Sequence, residues 1–224
     1  MTQITPFPVD PAVMAAIRPM AARDIEQVSI QHHTSMDHSL WGKLGLPFLR
    51  ALYRELLNDP RFSAYVYEED GVIKGFIAGS SGIKLMFASV LRKGFKRLLL
   101  PCLLGILRNP SAILHLLATP LYFRRTDLEQ EARAESLFCS FHAELRGRRI
   151  SGHINKVLFD ELHRRGCRFV KITTEESNQA SRRQLEHWGF KIQRKFHFYG
   201  RTRLIWLMDM DSNPRLDPLP GSKG

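Results

Sequence analysis

Hydrophobic positions recur along the chain with two different periods, which separate predicted strands from predicted helices. Short apolar or alternating runs bounded by turn residues predict strands at residues 16–20, 63–67, 73–78, 137–141, 168–173, 196–199 and 204–210. Apolar residues at helical spacing predict helices at residues 25–33, 46–57, 151–165 and 178–188. Strands and helices in this order predict an α/β domain with a mixed sheet.

Turn residues refine the ends of these elements. Asp70-Gly71 between two alternating runs predicts a tight β-hairpin. Gly189 lies directly after the last predicted helix, where a glycine favours a helix C-cap. Residues 33–45 are too rich in polar and glycine residues to form a helix throughout, so we expect a connection there.

Residues 81–132 depart from this pattern and predict a helical insertion. Leucine-rich helical stretches are separated by Pro101, Pro110 and Pro120. The longest uncharged apolar run, LLLPCLLGIL, has about half the ~20 residues of a spanning helix, which excludes a transmembrane segment. Three roles stay open: a helical cap packed over a pocket, a partner interface, or a patch that contacts an anionic membrane surface.

Charge and the chain ends add further constraints. The formal net charge of +11 favours anionic partners such as nucleic acid, an anionic membrane or a phosphorylated ligand. No helix-turn-helix signature, zinc-ligand spacing or aromatic RNP motif is present, so nucleic-acid binding is a minor hypothesis. We expect residues 1–15 to form a proline-rich arm, 16–210 the domain, and 211–224 a disordered tail. The first residues lack the features of a signal peptide, which predicts a cytoplasmic protein.

The candidate chemistry is concentrated in residues 134–154, AESLFCSFHAELRGRRISGHI. A buried strand there runs into a turn that carries three arginines, and the turn opens a helix. The first amides of a helix have no acceptor within the helix, and its dipole favours negative charge at that end. This turn is therefore predicted to bind a multiply charged phosphate. Glu135, on the strand before the turn, is a candidate proton acceptor.

The motifs resemble those of the GNAT superfamily of acyl-CoA-dependent N-acyltransferases. The resemblance covers residues 16–80 and 134–210. Its most specific parts are LRGRRISGHINKVLFDELHRRGC, in which Arg146 matches the first position of the family's phosphate-binding pattern, and TTEESNQASRRQLEHWGF, which carries Asn178 and the pair Gly189-Phe190. It implies a mixed, mostly antiparallel sheet flanked by helices.

The resemblance also implies the co-substrate, acetyl-CoA or another acyl-CoA, and no metal. The co-substrate is expected between strands 137–141 and 168–173, with the turn amides on the pyrophosphate and Asn178 on the pantetheine arm. The implied contacts are Phe141, Arg146, Gly147, Arg148, Arg149, Ile150, Ser151, Gly152, Asn178 and Ser181.

The sequence departs from the family's pattern at three positions. Arg149 and Ser151 stand where glycines are usual, and the Arg149 guanidinium can contact a phosphate as a glycine cannot. Leu185 stands where family members often carry a tyrosine that protonates the leaving thiolate. Three other residues are candidates for that role: Ser181, His187 and Tyr199.

Glu135 resembles the glutamate that serves as general base in the histone-acetylating branch of the superfamily. An ammonium ion has no lone pair, so a base must remove its proton before nitrogen can attack a thioester. The alternative is a solvated residue at the start of a strand, where the insertion ends. Both interpretations stay open.

The connection between the first two helices carries His32, His33, Asp37 and His38. The resemblance places this connection at the acceptor pocket, so His33 and His38 are candidate substrate contacts. The alternatives are a plain surface loop and, as a minor hypothesis, a metal site.

Together these features predict an N-acyltransferase, with acetyl as the favoured acyl group. A primary amine of a small molecule, such as an amino sugar, would attack the acyl-CoA directly. The net positive charge favours an anionic acceptor, for example a nucleotide-linked amino sugar. The alternative is a catalytically weak or inactive protein with the GNAT fold. Its basic insertion would bind a partner or the inner face of an anionic membrane. The sequence indicates no oligomeric state.

Overall fold

The computed structural model describes residues 5–126, 128, 132–198 and 200–218 of the 224-residue chain. Seven strands lie within these residues: Ile17–Pro19 (β1), Phe62–Glu69 (β2), Val72–Ser80 (β3), Ala134–Phe141 (β4), Phe169–Glu175 (β5), Lys191–Phe198 (β6) and Arg201–Asp209 (β7). The helices of the same residues are Pro11–Ala15 (α1), Ile25–Ser35 (α2), Leu40–Leu57 (α3), Ile83–Arg108 (α4), Ala112–Arg125 (α5), Ile150–Arg164 (α6) and Gln179–Trp188 (α7).

The strands form one sheet in the order β1-β2-β3-β4-β5-β7-β6. Among the described strands, only β4 and β5 pair in parallel; every other pair is antiparallel. The predicted fold class, a mixed and mostly antiparallel sheet flanked by helices, is confirmed.

The sheet buries an apolar core on each face because successive strand residues point to opposite sides. On β3, Phe76 and Ala78 join the core formed with α2, α3 and α4. Ile77, between them, joins the core formed with α6, α7 and β7. The turn before α6 and the helices of the insertion therefore lie on opposite sides of the sheet.

Two predicted turns are confirmed. Asp70 and Gly71 have φ of 53° and 76°, the left-handed pair of a tight hairpin between β2 and β3. Gly189 ends α7 with φ 87°, and its amide donates to the Glu186 and Leu185 carbonyls.

Several element boundaries differ from prediction. The helical part of α3 begins at Leu40, because Ser39 caps it, and is interrupted at Gly45, where φ is 82°. Helices α4 and α5 continue through Pro101 and Pro120, so Pro110 alone lies between them. Burial of the inner face of a helix outweighs the one backbone hydrogen bond that a proline removes. Strand β6 begins at residue 191, five residues before the predicted strand.

The segment after β7 packs against the domain up to residue 218, so the prediction of a disordered tail is wrong for residues 211–218. Asn213 Nδ2 donates to the Trp188 carbonyl at 2.8 Å, and Leu216 is buried. Asp217 accepts from Lys156 Nζ at 2.7 Å. Proline and glycine content predicted disorder, but the buried contacts of this segment outweigh it. Residues 219–224 lie outside the described part.

Helices α4 and α5 lie within residues 81–132, where the sequence predicts a helical insertion. The inner face of α4, which includes Met86, Val90 and Leu98, is buried against α3 and the sheet. In the described part of the chain, no helix is long and apolar enough to cross a membrane.

Candidate active site

Strands β4 and β5 separate partway along their length and leave a cleft. The parallel ladder joins Ala134 to Val170, Glu135 to Lys171 and Ser136 to Ile172, and ends there. Residues 138–141 of β4 and 173–175 of β5 stay paired with their outer neighbours, β3 and β7. The facing backbone edges of the two strands therefore present amide and carbonyl groups that a ligand can bind.

A cavity of about 750 Å³ extends from this cleft. Its lining residues come from strands β4 to β7, from helices α2 to α7 and from the α2–α3 connection. Such a volume lies in the range typical of small-molecule sites. The lining residues used below are Lys43, Glu135, Asn178, Ser181, Leu185, His38, His115, Thr119, Glu175, Arg201 and Arg203.

Glu135 lies at the closed end of the cleft and lines the cavity. Its side chain is buried, and its carboxylate lies 3.1 Å from Lys171 Nζ on the neighbouring strand. Lys171 Nζ also donates to the Thr126 carbonyl at 2.7 Å, at the end of the insertion. The structure therefore places Glu135 in the interior, where an ion pair holds it in one position.

The environment of Glu135 changes its acidity in two opposing ways. Burial, the larger effect, raises the pKa of the Glu135 carboxyl, and the Lys171 ammonium lowers it. The pKa is raised overall. A carboxylate with a raised pKa accepts a proton more readily, which suits a general base.

The turn before α6 carries backbone amides that have no acceptor among the described residues. Arg149 is the N-cap of α6 and has φ 58°, in the left-handed region. Among the described residues, none accepts a hydrogen bond from the amides of Gly147, Arg149, Ile150 or Ser151. The Arg148 and Gly152 amides are already bonded, to the carbonyls of Leu145 and Arg149. Of the amides of residues 148–152, which the resemblance places on the pyrophosphate, three therefore have no acceptor among the described residues, and the Gly147 amide adds a fourth.

The three arginines of the turn have different environments. Arg148 forms a salt bridge with Glu69 and donates to the Tyr67 hydroxyl at 3.1 Å. Hydrogen bonds from this guanidinium, from the Tyr67 hydroxyl and from Lys74 lower the pKa of Glu69 to about 2, with the guanidinium as the largest cause. The exposed side chains of Arg146 and Arg149 make no hydrogen bond or ion pair with another described residue. They are the two predicted arginines whose side chains are free to contact phosphate.

The N-terminal arm covers the first turn of α6. The Asp10 amide donates to His153 Nε2 at 2.9 Å, so Nδ1 carries the proton and donates to the Arg149 carbonyl at 2.9 Å. Phe7 packs edge-on against His153, with ring centroids 5.0 Å apart, and a Cβ at Gly152 would lie 2.8 Å from Phe7 Cζ. Gly152 thus allows the arm to approach, and the arm fixes the Arg149 carbonyl.

Helix α7 brings three of the predicted positions to the cavity. Asn178 caps the helix by accepting from the Ser181 amide at 3.1 Å, and both residues line the cavity. Leu185, which replaces the family's tyrosine, is buried and also lines it. Of the alternative proton donors, Ser181 reaches the cavity and His187 is not among its lining residues. Tyr199 lies outside the described residues.

The predicted substrate histidines separate in the structure. His38 lines the main cavity, with Nε2 3.5 Å from Glu175. His33 Nδ1 lies 3.0 Å from the Gly42 carbonyl, and the ring lines a second, smaller cavity. His32 is buried against Tyr53, and burial lowers its pKa to about 3. Among the described residues, no group of three His, Cys, Asp or Glu side chains is placed to hold a metal ion.

Phe141, the last predicted co-substrate contact, ends β4 outside the lining of the main cavity. Its ring lies against β3, where a Cβ at Gly75 would be 2.5 Å from Phe141 Cδ1. The absence of a side chain at Gly75 makes room for this ring.

Sequence reasoning missed the polar groups that other elements bring to the cavity. Glu175 at the end of β5 pairs with Arg201 at 2.8 Å and with Arg203 at 3.6 Å. The insertion contributes His115 and Thr119 from α5. The sequence shows that the ends of β5 and β7 are polar, but only the β5–β7 register brings these side chains together. No pattern in the sequence predicts that His115 faces the cavity.

The left-handed conformation of Arg149 explains why a glycine is favoured at this position. For a residue with a Cβ this conformation costs about 1–2 kcal/mol. We therefore expect Arg149→Gly to raise the free energy of unfolding by about 0.5–1 kcal/mol, measured by urea denaturation. Gly147→Ala, at φ 81° with open space around the new Cβ, is the matched control and should lower it by about 1 kcal/mol. A loss of stability in Arg149→Gly would show that the arginine side chain holds the turn.

Comparisons with known proteins agree with this architecture. No family model matches the chain, and no curated protein matches it in sequence. Among solved structures, one named SsHAT is similar with a TM-score of 0.62 and 18% identity, over 87% of this chain and 98% of its own. A ribosomal-protein-alanine N-acetyltransferase from Brucella melitensis is similar with a TM-score of 0.57 and 15% identity, over 86% of this chain and 98% of its own. An N-acetyltransferase from Staphylococcus aureus Mu50 is similar with a TM-score of 0.56 and 16% identity, over 87% of this chain and 97% of its own. The chain has the fold of the GNAT family of N-acetyltransferases.

Proposed function

We propose that this protein is an acyl-CoA-dependent N-acyltransferase that acylates a primary amine of a small molecule. One observation carries the proposal: β4, which forms one wall of the cleft, runs into the turn before α6, whose amides have no acceptor among the described residues, and a buried carboxylate lines the cavity that continues from the cleft. This reaction needs three parts: a site for the phosphates of acyl-CoA, a slot for its pantetheine arm and a base for the acceptor ammonium.

The turn before α6 would hold the pyrophosphate of acyl-CoA. The free amides of Gly147, Arg149, Ile150 and Ser151 offer hydrogen bonds, and the α6 dipole favours negative charge there. The guanidinium groups of Arg146 and Arg149 add charge-assisted contacts. The cleft edges at residues 137–141 and 173–175 would hold the amides of the pantetheine arm.

Glu135 would remove the proton from the acceptor ammonium, directly or through a water molecule. Its burial raises its pKa, and Lys171 holds the carboxylate in position. When bound, the thioester supplies an activated acyl group. Leu185 cannot donate a proton, so solvent or the Ser181 hydroxyl would protonate the thiolate that leaves.

The shape and charge of the cavity favour a small, anionic acceptor. Helices α4 and α5 wall the side of the cavity that carries His115 and Thr119, which leaves less room for an extended peptide. Lys43, Arg201 and Arg203 contribute three cations, whereas Glu175 is neutralised by two of them and Glu135 by Lys171. An amino sugar carried on a nucleotide combines a primary amine with this negative charge.

Thermal unfolding with CoA and acetyl-CoA tests the co-substrate. A ligand at a hundred times its Kd should raise Tm by roughly 5–10 °C for a chain of this size. Arg149→Glu should lose most of this shift, because it places a negative charge at the α6 N-terminus. Arg183→Glu, on the exposed side of α7, is the matched control and should keep it. No shift in the unaltered protein at millimolar CoA would contradict the proposal.

A second candidate function is acyl-CoA binding without transfer. It is favoured by the ion pair that occupies Glu135 and by Leu185 in place of a proton donor. In that case acetyl-CoA would stabilise the protein, but no amine would increase the rate of its consumption.

A further inference from the structure

The outer face of the insertion carries an exposed apolar stripe. On α4, Leu91, Phe95, Leu99, Leu103 and Leu107 recur every four residues, which places them on one side of the helix. Their side chains are 43–76% exposed. Helix α5 adds Leu114, Leu117 and Leu121, whose side chains are 62, 74 and 44% exposed.

This stripe is separate from the contacts that fold the insertion. The inner face of α4, which includes Met86, Val90 and Leu98, is already buried in the core. Soluble monomers seldom expose contiguous apolar patches of this kind, and such patches mark sites of protein or membrane contact. The stripe therefore indicates an external surface that covers it.

Positive charge surrounds the stripe, and no negative charge accompanies it. No aspartate or glutamate occurs between Gly71 and Thr126. The exposed basic residues of the same helices are Lys84, Arg92, Lys93, Lys96, Arg97, Arg108, Arg124 and Arg125, of which Arg97 pairs with Glu55. Leucine-rich faces bordered by lysine and arginine are typical of helices that lie in the interface of anionic bilayers.

A second copy of this chain fits the surface poorly. A symmetric contact through the stripe would bring two sets of basic residues together without an acidic residue from α4 or α5 of either copy. A bilayer with anionic headgroups supplies both the apolar interior that the leucines need and the counter-charge that the basic residues need.

We infer that the outer face of α4 and α5 docks on the surface of an anionic phospholipid bilayer, with the stripe in the acyl-chain boundary and the basic residues on the headgroups. The inner faces of the same helices wall the main cavity, so docking leaves the cavity intact. Membrane binding is therefore independent of the proposed acyl transfer.

Flotation with lipid vesicles tests this inference. The protein should float with vesicles of phosphatidylcholine and phosphatidylglycerol and stay unbound with phosphatidylcholine alone. Leu99→Asp/Leu103→Asp/Leu107→Asp should abolish flotation. Ile30→Asp/Val72→Asp/Ile192→Asp, at exposed apolar residues elsewhere, is the matched control and should preserve it. Thermal unfolding and the shift with CoA show that each variant is folded and that its co-substrate site is unchanged.

The basic residues give a separate quantitative check. Arg92→Gln/Lys93→Gln/Lys96→Gln should weaken vesicle binding on the order of a hundredfold, whereas Arg54→Gln/Arg183→Gln/Lys191→Gln should have a much smaller effect. The inference is overturned by equal binding to neutral vesicles or by vesicle binding that survives the three aspartates. It is also overturned if the protein does not bind vesicles but forms a dimer, seen by analytical ultracentrifugation, that the three aspartates dissociate.

Discussion

Replacement of Glu135 by glutamine is expected to lower the rate of acyl transfer by about 10²–10⁴-fold, the contribution typical of a general base. Glutamine keeps the shape of the side chain but cannot accept a proton from an ammonium ion. Because the turn before α6 and the cleft edges are unaltered, the Kd for acetyl-CoA should stay within about threefold. Steady-state kinetics and calorimetric titration measure the two quantities.

The ion pair with Lys171 requires a control for stability. Glu135→Gln leaves a buried ammonium without its counter-charge, and the loss of one partner of a buried pair typically costs about 3–5 kcal/mol. Glu135→Gln/Lys171→Met removes both charges, so its stability should return toward that of the unaltered protein while the activity stays lost. Glu176→Gln, an exposed carboxylate paired with Lys195 at 2.6 Å, is the matched control with normal activity. Recovery of activity in the double variant would show that the pair has only a structural role.

The same account predicts the dependence on pH. A base must be ionised, and burial raises the pKa of Glu135, so kcat/KM should decline as the pH falls through this raised pKa. Lys171→Met removes the group that opposes the shift and should move the decline to higher pH. An unchanged pH profile in Lys171→Met would contradict the assignment of Glu135 as the base.

Trp188→Ala is expected to lower the free energy of unfolding by about 3–5 kcal/mol, the range for removal of a large buried aromatic side chain. Trp188 is 1% exposed and ends α7. Phe159 of α6 packs edge-on against it at 5.2 Å between ring centroids, and Phe7 of the arm stacks on it at 5.3 Å. Urea denaturation measures the loss.

Phe95→Ala is the matched control for Trp188→Ala, since Phe95 is 58% exposed on the stripe of α4. It should change the stability by no more than about 0.5 kcal/mol. Comparable losses in the two variants would mean that the outer face of the insertion is covered in the isolated protein. A small loss in Trp188→Ala would mean that the arm, α6 and α7 are not held together by this ring.

The sequence predicts the fold where a local pattern decides the structure. The Asp70-Gly71 hairpin and the Gly189 cap follow from residues that suit left-handed backbone, and both are present. Proline, by contrast, predicted a helix break at Pro101 that is absent. Burial of one face of α4 outweighs the backbone hydrogen bond that Pro101 removes. The ordered structure of residues 211–218, after β7, could not be predicted either. It depends on contacts with α6 and α7, which come from other parts of the chain.

The candidate site could be predicted in part. The turn with Arg146 and Arg149 precedes a helix in the sequence, so an anion site could be predicted there from local order alone, and the structure places amides without an acceptor at this turn. The pairing of Arg148 with Glu69 and of Glu135 with Lys171 could not be predicted, because each pair joins segments that are far apart in sequence. The contribution of His115 required the packing of α5 over the cavity.

The most direct test is the release of CoA from acetyl-CoA in the presence of a panel of primary amines, with mass spectrometry of the products. The panel comprises amino sugars, nucleotide-linked amino sugars, amino acids, polyamines and lysine peptides. The account predicts amine-dependent release of CoA and a monoacetylated product from a small anionic amine, both lost in Glu135→Gln. Bound acetyl-CoA that no amine consumes would contradict it.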